Sequence, residues 1–275
     1  MAPLAANLES KHQALERELK GVPSLVVAYS GGVDSAYLAY AAHQVLKDRM
    51  LAVTALSASY SRQDREEAEK CARQFNFPHE FIDTEELSNA DYRANNQDRC
   101  YFCKDELFDK LDHLAGRRGY AAVAYGVNVD DQGDWRPGHR AAREHKVLTP
   151  LLEAGLTKAE IRELARQASL PVWDRPASAC LSSRIAYGLE VTPERLRIVD
   201  QGEEAVRALG FRQFRVRHHD KLVRIEIAPE ELERALSPEM TRKFVGIFKP
   251  LGFAFVTLDL EGYRQGSLNF VELKT

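Results

Sequence analysis

The residues of this sequence best suited to chemistry form one short motif, Ser30-Gly31-Gly32-Val33-Asp34-Ser35, which follows an apolar run. Its two glycines let backbone N–H groups approach a ligand, and the helical pattern that follows adds the partial positive charge of a helix N-terminus. This combination suits phosphate oxygens. Asp34 places a carboxylate beside them, where Mg²⁺ is the natural partner. The alternative is a tight strand-to-helix turn capped by Ser30 or Ser35, but such a turn requires neither both serines nor the acid.

Three of the four cysteines form a second candidate site. Cys100 and Cys103 have a Cys-x-x-Cys spacing, and Cys180 lies far along the chain in a loop-like segment. These three thiols suit a 4Fe–4S cluster with one open iron, a zinc ion that takes a further cysteine or histidine, or a redox pair that leaves Cys180 unexplained. A structural disulfide is not expected in a reducing cytoplasm. The fourth, Cys71, shares a helix face with apolar residues and is expected in the core.

Strand-like and helix-like runs alternate over the first part of the chain, and this alternation predicts the fold that positions these residues. Such alternation is typical of parallel βαβ units, so we expect an α/β fold with a doubly wound parallel sheet. Ligands of such sheets bind beyond the carboxyl ends of the strands, where the Ser30–Ser35 loop falls. The predicted strands are Leu25–Ala28, Leu51–Leu56, His79–Ile82 and Ala121–Tyr125, and the predicted helices are Ala36–Leu46, Gln63–Phe75, Asp105–Leu114 and Thr157–Gln167.

A change of pattern near residue 185 predicts a second domain. Thr192-Pro193 begins a helix that ends at Gly210, and two alternating strands follow. A helix from Pro229 and a last strand, Phe253–Leu258, complete an α-β-β-α-β order. We therefore expect a domain of residues 1–184 and a small α+β domain of residues 185–275.

Composition and charge restrict the class of protein and its partners. The chain has 275 residues and a net charge of −3, with acidic and basic residues interspersed, which argues against a dedicated nucleic-acid binder. No apolar run approaches the roughly 20 residues that span a bilayer. The N-terminal segment is patterned as an amphipathic helix rather than a signal peptide. These features predict a cytoplasmic protein with no membrane partner.

The Ser-Gly-Gly-x-Asp-Ser motif resembles the pyrophosphate loop of the ATP pyrophosphatase superfamily. It is not a Walker loop, because no Lys-Ser/Thr follows the glycines, and its spacing does not match Gly-x-Gly-x-x-Gly. The resemblance implies an adenine nucleotide alpha hydrolase-like fold. It also implies that ATP is cleaved between its α and β phosphates, with Mg²⁺, to give an adenylated substrate. The motif does not identify that substrate.

Two further segments, Tyr125–Gly138 and Pro176–Gly188, resemble the LarE family of ATP-dependent sulfur transferases. That family implies a small-molecule substrate, pyridinium-3,5-biscarboxylate mononucleotide, whose adenylated carboxylate becomes a thiocarboxylate on the way to the nickel-pincer cofactor. Members use either a single sacrificial cysteine or three cysteines on an iron–sulfur cluster that carries the sulfur. Cys100, Cys103 and Cys180 match the three-cysteine type. The family's tendency to assemble implies a homo-oligomer, and the sulfur donor stays open.

The resemblance also implies roles for individual residues of this chain. Asp34 and Cys180 would be catalytic, with Lys104 neutralising charge on the nucleotide, although a solvated helix lysine is an equal alternative. Glu203 and Glu226 match acidic positions of unknown role. The residues implied to hold pyrophosphate and Mg²⁺ are Ser30, Gly31, Gly32, Asp34 and Ser35. Those implied to face the nucleotide are Asn128, Asp130, Asp131 and Arg136. Those implied to bind the substrate phosphate are Ser183, Arg215 and Arg217.

Three other functions fit parts of the same pattern. A tRNA thiolase of the superfamily also combines a pyrophosphate loop with three cysteines, and it predicts tight tRNA binding. An ammonia-using adenylating synthetase predicts activity indifferent to Cys100, Cys103 and Cys180. A non-catalytic nucleotide-binding regulator predicts ATP binding without pyrophosphate release. The mild acidity and the two LarE-like segments favour the small-molecule sulfur transferase.

Overall fold

The computed structural model describes residues 2–132, 137–176 and 179–264, with side chains from residue 7 onward. Its residues divide into two compact units, the first comprising Met1–Glu86 and Cys100–Ser178 and the second Leu87–Arg99 and Ala179–Thr275. The strands of the described part are β1 Leu25–Ala28, β2 Met50–Leu56, β3 His79–Asp83, β4 Ala122–Tyr125, β5 Phe214–His219, β6 Leu222–Ile227 and β7 Phe255–Leu258. The α-helices are α1 Ala2–Lys20, α2 Val33–Leu46, α3 Arg62–Phe75, α4 Ala90–Arg93, α5 Arg99–Arg118, α6 Pro137–Glu144, α7 Pro150–Glu153, α8 Lys158–Gln167, α9 Pro193–Ala208, α10 Leu232–Ala235 and α11 Pro238–Phe248.

The first unit is built on a four-stranded sheet in the order β3-β2-β1-β4, in which every pairing is parallel. Successive side chains of a strand point to opposite faces, and both faces of β1 are buried. Leu25 and Val27 pack with residues of α1, α2, α3 and α8, whereas Val26 and Ala28 pack with residues of α5 and α6. Helices therefore cover both faces, and the prediction of a doubly wound parallel α/β fold is confirmed.

The strand order places a topological switch point between β1 and β4. The chain after β1 continues toward β2 on one side, while β4 pairs with the other edge of β1, so that Ala28 lies beside Tyr125. Loops that leave two such strands diverge and open a crevice at their carboxyl ends, which is where ligands bind in open α/β sheets. The loops at this point are residues 29–32 and residues 126–132.

The second unit holds a three-stranded mixed sheet in the order β5-β6-β7, with β5 and β6 antiparallel and β6 and β7 parallel. Alternate residues of β5 and β6, such as Val216 and Ile225, pack with α9 and α11 in a separate hydrophobic core. The segment Leu87–Arg99 also belongs to this unit. The sequence predicted one boundary near residue 185 and did not anticipate this earlier segment.

Element bounds differ from the sequence predictions mainly in α5 and after β6. Helix α5 begins at Arg99, not Asp105, so Cys100 and Cys103 lie in its first turns. The helix predicted from Pro229 is instead a short 3₁₀ turn, then α10, then α11. Pro238 at the first position of α11, after the N-cap Ser237, starts this new helix. No helix among the described residues is long and apolar enough to cross a membrane.

Candidate functional site

The Ser30–Ser35 loop is ordered by its own serines and glycines. The Ser30 backbone N–H donates to Ser35 Oγ at 3.1 Å, and Ser35 Oγ donates to the Gly32 carbonyl at 3.1 Å. Gly31 has a φ of +74°, and a Cβ there would lie 3.0 Å from the Cβ of Ala68, so only glycine fits. Gly32 is the N-cap of α2 and supplies no side-chain cap. The first N–H groups of α2 are thus directed toward the loop, as an anion site requires.

Asp34, in the first turn of α2, carries the charged group of this loop. Its Oδ2 accepts a hydrogen bond from Lys158 Nζ at 2.5 Å, whereas its buried Oδ1 has no hydrogen-bond partner. Burial raises the pKa of the Asp34 carboxyl, and the Lys158 ammonium opposes this rise without cancelling it. A buried carboxylate oxygen without a partner is costly, and a divalent cation would satisfy it. The Asp34 carboxylate therefore fits Mg²⁺.

The loop after β4 supplies the opposite wall of the crevice. Asn128 caps the 3₁₀ turn Val129–Asp131, and the Asp131 carboxylate accepts from the Asn128 N–H at 3.1 Å. Asp130 Oδ2 accepts the Lys158 backbone N–H at 2.8 Å, and the negative charge of Asp131 contributes to the raised pKa of Asp34. These acids are therefore near Asp34. Arg136, also predicted at this wall, lies outside the described residues.

A support network behind the loop was not foreseen from the sequence. Tyr60 OH donates to the Ser30 carbonyl at 3.0 Å, and Thr54 Oγ1 donates to the Tyr29 carbonyl at 2.7 Å. Together these contacts fix the backbone between β1 and α2. Of the missed residues, Lys158 alone had a sequence signal: a lysine in the first turn of a helix opposes the helix dipole.

Cys100 and Cys103 are spaced about one helical turn apart on α5. Cys100 is exposed and Cys103 partly buried, and neither forms a disulfide. Positions i and i+3 share a helix face, so both thiols can serve one centre. Lys104 Nζ lies 5.7 Å from the Phe108 ring centroid, a cation–π contact. A Cβ on Gly138 would lie 2.9 Å from Lys104 Cγ, so α6 approaches α5 closely here.

The third cysteine, Cys180, lies in the second unit and is exposed. Its carbonyl accepts Ser183 Oγ at 2.7 Å and Arg184 Nη1 at 3.2 Å, and these bonds order the short 3₁₀ turn Leu181–Arg184. Tyr92 OH and Ser182 Oγ share a 2.6 Å hydrogen bond that ties this turn to the segment Leu87–Arg99. The thiol therefore projects from a well-ordered backbone. Among the described residues, no three His, Cys, Asp or Glu side chains form a metal-binding group.

The two predicted phosphate arginines, Arg215 and Arg217, lie on one face of β5, where Arg215 is partly buried and Arg217 is buried. Arg217 is only 6% exposed, and it donates to Glu226 Oε2 at 3.0 Å and to the Ser183 carbonyl at 2.9 Å. The Arg215 guanidinium lies 4.9 Å from the Tyr263 ring centroid, and burial together with nearby Arg184 lowers its pKa. This face is not a solvated strand surface. Arg217 is held there by the buried carboxylate of Glu226, and Arg215 lies against an aromatic ring.

Glu203 binds a further arginine of the second unit, Arg184. Its two carboxylate oxygens accept Arg184 Nε at 2.9 Å and Arg184 Nη2 at 3.2 Å, a bidentate pair. Both side chains are buried. Burial alone would raise the pKa of the Glu203 carboxyl, but Arg184 outweighs it and the pKa is lowered. The two acids that the sequence left without a role, Glu203 and Glu226, therefore each bind arginine in the second unit.

A glycine-rich loop with its metal-suited aspartate at the switch point of a doubly wound sheet defines a nucleotide-binding α/β protein of the ATP pyrophosphatase class. Residues 8–111 match the family model described as NAD synthase. The chain is 26% identical to one of the subunits of the glutamine-hydrolysing GMP synthase from Pyrococcus horikoshii, over 72% of this chain and 70% of that one. It is also 43% identical, over 97% of its length and 100% of the relative's, to an uncharacterized protein of Synechocystis.

A further relative is informative about the family. The chain is 33% identical to the pyridinium-3,5-bisthiocarboxylic acid mononucleotide synthase of Lactiplantibacillus plantarum, over 96% of this chain and 95% of that protein. The chain belongs to this family, the LarE family of the ATP pyrophosphatase superfamily, and it is an ATP-dependent enzyme. The family resemblance inferred from the Ser30–Ser35 loop and from the segments Tyr125–Gly138 and Pro176–Gly188 is confirmed.

Proposed function

We propose that this enzyme adenylates a carboxylate of pyridinium-3,5-biscarboxylic acid mononucleotide and replaces AMP with sulfur, giving a thiocarboxylate. The observation that carries the proposal is the Asp34 carboxylate, which presents a buried, unpartnered oxygen at the N-terminus of α2. A carboxylate there suits the metal of a bound triphosphate, and the relative from L. plantarum is named for the dithio form of this nucleotide.

Activation of the substrate comes first because a free carboxylate is anionic and has no usable leaving group. Its oxygen attacks the α-phosphorus of ATP, the bond to the β-phosphate oxygen breaks, and pyrophosphate leaves. The N–H groups of the Ser30–Ser35 loop and of the first turn of α2 stabilise the charge on the departing phosphates. Asp34 would hold Mg²⁺, which neutralises the same charge when bound. Lys104 is proposed to add a positive charge toward the nucleotide.

Sulfur delivery is proposed for Cys100, Cys103 and Cys180 on a 4Fe–4S cluster. The chemistry of the side chains supports this proposal, because none of the three forms a disulfide and thiolates are the ligands that such clusters take. When bound, the cluster would supply the sulfur that replaces AMP at the acyl carbon. Ser183, Arg215 and Arg217 are proposed to hold the phosphate of the substrate nucleotide, which guanidinium groups bind well.

The test is anaerobic purification followed by iron, sulfide and product analysis. We expect about four irons per chain, and pyrophosphate release that requires ATP and the biscarboxylate mononucleotide. Cys100→Ser, Cys103→Ser and Cys180→Ser should each lose iron and thiocarboxylate formation but retain pyrophosphate release. Cys71→Ala is the matched control, since Cys71 is buried and is expected to leave the iron content unchanged. Stoichiometric zinc, or thiolated tRNA as the product, would contradict the proposal.

A further inference from the structure

We propose that the ammonium group of Lys158 pairs with the magnesium-binding carboxylate of Asp34 in the nucleotide-free enzyme. When Mg²⁺ and ATP bind, this ammonium group leaves Asp34 and pairs with a phosphate oxygen instead. This inference rests on the proposed function only in placing Mg²⁺·ATP at Asp34. It adds a residue that controls when the metal can bind. Lys158 is thereby a positioning residue for the metal and a ligand of the nucleotide.

The backbone of Lys158 is fixed while its side chain retains freedom to move. Lys158 is the first residue of α8, after the N-cap Thr157, and its N–H donates to Asp130 Oδ2 at 2.8 Å. Its Nζ reaches Asp34 Oδ2 at 2.5 Å, and its side chain is 34% exposed. The ammonium group is therefore anchored at the crevice, with room to exchange one anionic partner for another.

Electrostatics oppose simultaneous binding of the ammonium group and a metal to Asp34. With Lys158 on Oδ2 and a divalent ion on Oδ1, like charges would stand a few ångströms apart in a partly buried site, where screening is weak. One carboxylate cannot neutralise both. Phosphate oxygens of bound ATP remove this repulsion, because they add ligands to the metal and give Lys158 a new anionic partner.

The position of Lys158 in its helix supports the same exchange. A cation in the first turn lies at the positive end of the helix dipole, where anions are favoured. Its pairing with Asp34 offsets that cost in the free enzyme. A phosphate at this place would interact favourably with Lys158 and with the positive N-terminal end of α2. The free enzyme is thus expected to bind metal poorly until ATP arrives.

Mn²⁺ binding followed by electron paramagnetic resonance, with and without ATP, tests the exchange. We expect Lys158→Met to bind Mn²⁺ without nucleotide about tenfold more tightly than wild type, and to bind ATP in EDTA about tenfold more weakly. Lys11→Met is the matched control, since Lys11 pairs with Glu160 of the same helix at 2.8 Å and has similar exposure, 24%. It should match wild type in both measurements. Lys158→Arg keeps the charge and should exclude free Mn²⁺ as wild type does.

The outcomes separate this inference from the proposed function. Wild-type protein that binds no Mg²⁺·ATP would contradict the ATP site itself. The exchange alone would be overturned if the wild type binds Mg²⁺·ATP and Lys158→Met has the same Mn²⁺ and ATP affinities as the wild type. Wild-type protein that binds free Mn²⁺ as tightly as Lys158→Met would overturn it equally.

Discussion

Gly126 and the backbone of Ser35 approach so closely that no side chain fits between them. A Cβ on Gly126 would lie 2.8 Å from the Ser35 nitrogen and 2.9 Å from the Asp34 carbonyl carbon. Both neighbours are backbone atoms, so neither can rotate away. The pairing of β1 with β4 forces this approach, because it places the residue after Tyr125 beside the loop that carries Asp34. The glycine thus permits the two walls of the crevice to meet.

Gly126→Ala is expected to displace the Ser30–Ser35 loop. We expect about tenfold or greater loss of ATP affinity, measured by calorimetry, and a decrease of about 1–3 kcal/mol in the free energy of unfolding. Gly116→Ala in α5 is the matched control, since nothing lies within 4 Å of its added Cβ. It should leave ATP binding unchanged and stabilise by up to about 1 kcal/mol. Unchanged ATP affinity in Gly126→Ala would contradict the geometry of this wall.

Asp34→Asn is expected to remove the metal ligand while keeping the shape of the side chain. Pyrophosphate release should decrease about 10²-fold or more, because the charge on the departing phosphates loses its stabilisation. The measurement is a coupled pyrophosphate assay at saturating ATP. Asp48→Asn, at an exposed position after α2, should retain full activity. Retained activity in Asp34→Asn would place the metal elsewhere.

Glu203→Ala is expected to destabilise the second unit strongly. Removal of this acid leaves the Arg184 guanidinium buried without its carboxylate partner, which costs about 3–5 kcal/mol. Urea unfolding followed by circular dichroism measures this cost. Joint replacement by Arg184→Met and Glu203→Leu should recover most of the loss, because apolar side chains need no ionic partner.

A surface pair provides the comparison for Glu203. Arg93 and Glu190 pair at 3.2 Å, but the Glu190 side chain is 57% exposed. Glu190→Gln should therefore lower the free energy of unfolding by less than about 1 kcal/mol. Equal losses in Glu190→Gln and Glu203→Ala would show that burial does not decide the strength of these pairs.

His145 is expected to make stability depend on pH. Burial lowers the pKa of its imidazole, but the carboxylates of Asp112, 2.9 Å away, and Asp105, 3.1 Å away, outweigh burial and raise it overall. A raised pKa means that the folded protein holds this proton more tightly than the unfolded chain. The stabilisation is complete below the unfolded pKa of about 6.5 and is lost as pH rises through the folded pKa.

His145→Gln should therefore destabilise at pH 5.5 by about 1 kcal/mol or less, and the difference from wild type should shrink toward pH 9. Urea unfolding at both pH values is the measurement. His113→Gln, at an exposed site on α5, should change stability by less than about 0.5 kcal/mol at either pH. A deficit of His145→Gln that grows toward pH 9 would contradict the sign of the pKa shift.

The sequence alone was sufficient for features that depend on local periodicity and turn chemistry. The apolar run Leu25–Ala28 is a strand with the predicted bounds, and the helix predicted over Thr157–Gln167 is α8, which begins after the N-cap Thr157. Both elements could be predicted from the sequence, because the alternation of apolar residues and the capping of a helix depend on residues close together in the chain. The start of α5 was missed, because Cys100–Cys103 is a continuous run of cysteine and aromatic residues, which shows no 3.6-residue apolar period that would extend the helix to Arg99.

Contacts between residues distant in the chain were decided by the tertiary structure. Asp34 and Lys158 lie 124 residues apart, and no local pattern connects them. They meet because the order β3-β2-β1-β4 brings the loops after β1 and β4 to one crevice, with α8 beginning beside them. The sequence by itself determined which residues could bind phosphate and metal. The strand order determined which cation faces that aspartate, because only packing brings Lys158 to Asp34 across 124 residues of sequence.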